Sequence, residues 1–235
     1  MVAMSNVMSC NAIPAGRLHD IVYLLAEHTL PLVENFYTPE KPGRGSCVLI
    51  AHIVRDVLHR FGYLDAACLP CVVEAYNALA SEYLEKSKAL PPHEQTKLAH
   101  EYKQRGGHIL IVGDPNDSDG DGGWPGHLVC VVAGHLLDLT MGQFSRPQMQ
   151  LELGPVAVPL MQPGPWPELS RVTALGRPDG ATVTWYATPS NQRYQTGRAA
   201  QPETRALVVD LLERRIRKSS RRPHDSFEER KRTHG

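Results

Sequence analysis

The sequence predicts an α+β fold. Three observations carry that reading. Apolar residues recur at helical spacing over residues 17–36 and again over 46–61. From residue 128 onward the apolar runs shorten and are separated by turn residues, as strands are. The two kinds of pattern do not alternate regularly, which a βαβ fold would require.

Leu18, Ile21, Val22, Leu25 and Leu32 share a face of the first predicted helix, with Pro31 expected to kink or end it. Residues 37–45 hold two prolines and two glycines and read as loop. Val48, Ala51, Ile53, Val54, Val57, Leu58 and Phe61 set the apolar period of a second helix, which Gly62 stops. The apolar, valine-rich stretch 68–76 reads as a strand. Asn77 is placed to cap a helix running to about residue 90, where Pro91 and Pro92 break it. Another helix is predicted over 93–104 and a strand over 108–112. Residues 114–123 form a loop of acids and glycines. Strands at 128–132 and 136–139 flank Ala133-Gly134, a hairpin signal. Beyond Gln143 prolines are dense, with one further strand at 181–187. Residues 203–217 make a last helix with Ala206, Val209, Leu212 and Ile216 on one face. The organisation that follows is an N-terminal extension (1–16), one domain (17–217) with a helical insertion (77–105), and a basic tail (218–235) expected to be disordered.

Composition narrows the function. Apolar residues make up 42% of the 235, and charged residues 21%, as in ordinary globular proteins. Lys and Arg number 25 against 25 acids, so no global field points to nucleic acid. From Glu213 onward the chain carries nine Lys/Arg and four acids. That end reads as a solvated tail, with a protein partner as its functional alternative. No apolar run approaches the roughly 20 residues a membrane span needs. Five cysteines at irregular spacing do not make a disulfide framework, and a cytoplasmic home is the expectation. There is no glycine-rich phosphate loop or dinucleotide fingerprint, so no organic cofactor is implied.

Cys47 follows Gly43-Arg44-Gly45-Ser46 and opens an amphipathic helix. The free N–H groups of a helix start favour a thiolate, which a nucleophilic cysteine needs. His127 opens an apolar strand just after the flexible loop, a place for a base near solvent. Asp138 sits inside the apolar run Leu136-Leu137-Asp138-Leu139, and a buried carboxylate is costly unless paired. If the two strands are hairpin neighbours, Asp138 accepts Nδ1–H of His127, fixes the tautomer and stabilises the imidazolium.

In GSCVLIAHIVRDVLHRFGY, GGWPGHLVCVV and HLLDLTMGQF, over roughly residues 45–144, the chain resembles the transglutaminase-like superfamily. That superfamily includes arylamine N-acetyltransferases and related thiol peptidases. The resemblance implies a papain-like core in which Cys47 is the nucleophile, His127 its base and Asp138 the orienting acid. It implies acyl transfer through a thioester, with a peptidase or amidase as the leading activity and a peptide, amide or thioester as substrate. Transfer to an amine, and a non-enzymatic binding module on the same fold, are the alternatives. Ser46, Trp124 and Gln143 complete the candidate substrate-binding set, although Trp124 equally reads as packing and Gln143 as closing its strand.

Other signals are weaker. Cys68-Leu-Pro-Cys71 and His127-x-x-Cys130 mimic a zinc set, but residues three apart on a strand face opposite ways, so no metal is assigned. Asp117, Asp119 and Asp121 match half a calcium loop, but Leu128 stands where its final glutamate belongs. His52 is turned away from Cys47 on their helix and reads as structural. His108 has no matching acid in a following strand.

Overall fold

A computed structural model describes residues 16–36, 46–113, 124 and 126–220. The acidic loop at 114–123, with its calcium-like aspartates, lies outside these residues, as do 1–15 and 221–235. The fold is mixed α/β. Among the described residues five helices accompany one seven-stranded sheet whose pairings are all antiparallel.

Helix α1 (Arg17–Phe36) runs through Pro31 without ending. Leu32 and Val33 beyond the proline are buried with Ile21, Val22 and Leu25, so packing holds the last turn in place despite the lost hydrogen bond. Helix α2 (Ser46–Arg60) lies against the sheet and buries almost every residue from Val48 to Leu58. Gly62, at φ 93°, turns the chain out of it. Strand β1 (Ala67–Tyr76) is central. On one edge it pairs with β7 (Thr182–Ala187). On the other edge it pairs first with β3 (His127–Val132) and then with β2 (Ile109–Val112). The order continues from β3 to β4 (His135–Asp138) and β5 (Val156–Pro159), and from β7 to β6 (Arg171–Gly176). The outermost strands approach each other, where Thr173 Oγ1 donates to the Pro159 carbonyl at 3.0 Å.

The predicted hairpin at Ala133-Gly134 is present. Both residues have positive φ, 46° and 73°, the requirement of a two-residue turn that follows strand twist. Two strands escaped sequence reading, β5 and β6. Both lie in the proline-dense region, and β5 carries prolines at 155 and 159. Among the described residues it pairs only with β4, and an edge strand tolerates a residue that cannot donate.

The predicted insertion is a pair of helices, α3 (Ala78–Ser87) and α4 (Pro92–Gln104), between β1 and β2. Asn77 caps α3 as expected and does more. Its Oδ1 accepts from Ala80 N and His108 N, and its Nδ2 donates to the carbonyls of Gly106 and Met149. This one buried side chain ties the insertion to the strand that follows it. The last helix, α5 (Pro202–Ser219), runs past the expected domain end at 217 and buries Val208, Val209, Leu212 and Ile216 against α1 and α2. Arg205 Nε donates to Asp56 Oδ2 at 2.5 Å and joins α5 to α2.

The core therefore has two parts. One lies between the helices and one face of the sheet, and the other lies on the opposite face around Trp185, Leu136, Val129 and Val183.

Candidate active site

Along one side β1 exchanges β3 for β2 near Cys71. Helix α2 begins there. Cys47 stands in its first turn, half-buried, where backbone N–H groups have no intrahelical acceptor. It packs against the cluster of Val48, Ala51, Leu128 and Tyr194, which Trp124 also borders.

His127 opens β3 and is directly opposite Cys71 of β1. Asp138 ends β4. The antiparallel register places both on the same sheet face, and His127 Nε2 meets Asp138 Oδ2 at 2.7 Å. Neither side chain is exposed to solvent. The sequence expectation was pairing through Nδ1, and the structure corrects it. Nε2 takes the carboxylate. Nδ1 is left buried with no hydrogen-bond partner. Cys47 lies within interaction range of the ring but outside strict hydrogen-bond geometry. Such contacts are often long in a ligand-free site.

Asp138 is fully satisfied. Trp185 Nε1 donates to its Oδ2 at 3.0 Å, while Thr140 donates to its Oδ1 from N at 3.2 Å and from Oγ1 at 2.9 Å. Burial disfavours its charge, but His127 and these donors outweigh burial and hold the carboxyl below its usual range. Burial likewise opposes charge on His127, and the Asp138 carboxylate, reinforced by Cys47, overcomes it and pushes the imidazole up to about 10. The pairing with Asp138 therefore favours the protonated ring. Phe144 stands edge-on to it, with centroids 5.3 Å apart.

Cys71 is a neighbour of a different kind. Burial first, then Asp138 and Cys47, push its thiol well above the ordinary value, so it stays protonated. Cys68 points to the other face, opposite Cys130, and bonds His52 Nδ1 at 3.5 Å. His52 is buried on α2. Burial, then Arg55 and Arg205, lower it to about 4 and keep it neutral. No group of three or more His, Cys, Asp or Glu among the described residues is arranged to hold a metal. No helix among them is long and apolar enough to cross a membrane.

The remaining candidates sit around this centre. Ser46 Oγ donates to Gln143 Oε1 at 2.6 Å, tying the residue before Cys47 to the turn after Asp138. Trp124 Nε1 donates to Asn191 Oδ1 at 2.6 Å, and its ring lies 5.3 Å from that of Tyr194. Its indole covers Gly126 so closely that a Cβ there would meet the ring at 2.1 Å. His108 stays outside the centre, its amide bound to Asn77. Sequence reasoning missed Trp185, Asn191, Tyr194 and Gly113. Gly113 ends β2 at φ 93°, where a Cβ would meet the Cys71 carbonyl at 3.2 Å and His127 N at 3.4 Å. A glycine between a strand and an acidic loop was the only signal it offered.

No protein-family model, curated protein or solved structure matches this chain.

Proposed function

We propose that the chain is a transglutaminase-like thiol hydrolase or acyltransferase acting on peptide or amide bonds, with Cys47, His127 and Asp138 as its catalytic triad. One observation carries the reading. A fully buried histidine is clamped through Nε2 by a four-times hydrogen-bonded carboxylate, and Cys47, at a helix start, lies within interaction range of the same ring, whose Nδ1 has no partner among the described residues. On this reading α2 and the strands bearing His127 and Asp138 form a papain-like core.

The chemistry follows from the proton's place. His127, held by Asp138 through Nε2, takes the Cys47 thiol proton at Nδ1, so the sulfur reacts as a thiolate beside an imidazolium. The sulfur attacks the carbonyl carbon, a C–S bond forms, and the carbonyl π electrons move to oxygen. The Cys47 N–H at the helix start is one donor to that oxyanion. Gln143 is the second: Ser46 occupies its Oε1 and leaves the Nε2 hydrogens available. Collapse breaks the bond to the leaving amine, which takes the Nδ1 proton. Water, or an acceptor amine, then gives a proton to Nδ1 as it attacks the thioester and frees the sulfur.

The test is the rate of iodoacetamide alkylation at each cysteine against pH, read by peptide mass spectrometry. Cys47 is expected to react far faster than Cys68, Cys71 and Cys130 at pH 6, and to lose that lead in His127→Ala. Equal reactivity in the variant sinks the ion pair. Asp138→Asn and Cys47→Ala should lower acyl transfer from peptide thioesters by roughly a hundredfold or more while the protein stays folded.

A further inference from the structure

Strand β2 reads Ile109-Leu110-Ile111-Val112 and pairs only with β1 among the described residues. The Asn77 amide donates to the His108 carbonyl at 3.1 Å, which sets the parity of the ladder. In an antiparallel pair alternate residues turn both main-chain groups toward the partner. His108, Leu110 and Val112 therefore face β1, and Ile109 and Ile111 turn N–H and C=O to the outer edge. Their side chains are also the exposed ones, 45% and 59%, whereas Leu110 and Val112 pack against the core behind the sheet.

Among the described residues no second strand pairs with this edge, and β2 itself carries none of the usual protection. Natural edge strands are blunted by lysine, proline, a bulge or a covering element, because an open apolar edge recruits other strands. β2 has no charge, no proline and no bulge in its pairing with β1. Its position is also particular. Gly113, the next residue, lies against the Cys71 carbonyl and the His127 amide. The outer edge of β2 continues the edge of β3 that β4 occupies, and β4 ends at Asp138.

We propose that β2 is a docking edge for an extended polypeptide, which adds as a strand to Ile109 and Ile111 and so reaches the Cys47–His127 centre. The inference rests on the thiol-enzyme reading and narrows it. The substrate is a polypeptide in extended conformation, not a small amine or acyl carrier, and it carries apolar side chains at alternate positions to match two isoleucines on one face. Main-chain pairing supplies affinity and the alternate side chains supply selectivity.

The test separates docking from chemistry. Random decapeptides displayed on phage are selected on the full-length Cys47→Ala protein, and the best is labelled and titrated by fluorescence polarisation. The selected peptides are expected to alternate apolar residues. N-methylation at alternate amides of the peptide should weaken binding roughly tenfold each, and at the intervening amides hardly at all. Ile111→Pro, which removes one outward N–H, should weaken binding by a similar factor. In a Cys47-containing background it should leave iodoacetamide alkylation of Cys47 unchanged. Should the proline variant unfold, Ile109→Thr with Ile111→Thr keeps the strand and removes the apolar contacts, with the same expected loss. Failure to select any peptide, or affinity indifferent to both N-methylation and the β2 variants, overturns the proposal. Alternating peptides that bind to β2 while Cys47 shows no special reactivity would keep the docking edge and discard the enzyme.

Discussion

At the scale of single residues the molecule concentrates its electrostatics in one buried pair. The folded imidazole of His127 holds its proton to about 10, against an ordinary 6.5. Between those values the folded state binds a proton that the unfolded chain has lost, so stability falls as pH rises through that window. Below 6.5 the contribution is fully present. Asp138 works the other way, since its depressed carboxyl contributes above its ordinary 3.8 and loses that contribution as pH falls through its folded value. Thermal melts from pH 6 to 10 should show a declining Tm in the wild type and a flatter profile in His127→Gln. An unchanged slope in the variant would mean that His127 is neutral when folded. The identities of this pair were legible in sequence because an acid inside an apolar strand demands a partner. The nitrogen that makes the bond was not legible, since it depends on the direction from which the ring enters.

At the scale of elements Asn77 shows how a predicted cap becomes a junction. Composition identified it as the start of α3, and it is that, but its remaining bonds reach Gly106, His108 and Met149. Asn77→Ala should therefore cost more than a helix cap alone. A cap substitution costs about 1 kcal/mol, and stranding further buried donors and acceptors brings the loss to about 3 kcal/mol. Denaturant unfolding measures it, and a loss below about 1 kcal/mol would show that water replaces the long-range bonds. Helical periodicity located α1, α2, α4 and α5 to within a few residues. Strand β5 stayed hidden because its prolines mask a strand that only an edge position permits, and β6 because it lies between prolines in a proline-dense region.

At the scale of the whole molecule α5 closes the helical side of the fold. Ile216 and Leu212 are fully buried, and Glu213 accepts from Arg60 at 2.7 Å. A chain ending before Glu213 loses that ion pair and the buried isoleucine, worth roughly 2–5 kcal/mol by analogy with large-to-small core substitutions. A chain ending at Ser220 keeps both. Calorimetry should give the longer truncation a Tm close to that of the full protein and the shorter one a Tm several degrees lower. Equal melting temperatures would make α5 an appendage.

The sequence by itself determined what local chemistry can express. It set helix periods, the hairpin glycine, the Asn77 cap, a cysteine at a helix start and a carboxylate too deep in an apolar strand to stand alone. Only the tertiary structure decided which groups meet. Trp185, 47 residues after Asp138, donates to its carboxylate, and Asn191, 67 residues after Trp124, accepts from its indole. Among the described residues β2 has an unpaired edge because β1 changes partners along one side. Pairings of that kind arise from register and sheet order, and these follow from how the whole chain buries its apolar surface, beyond the reach of any short window of residues.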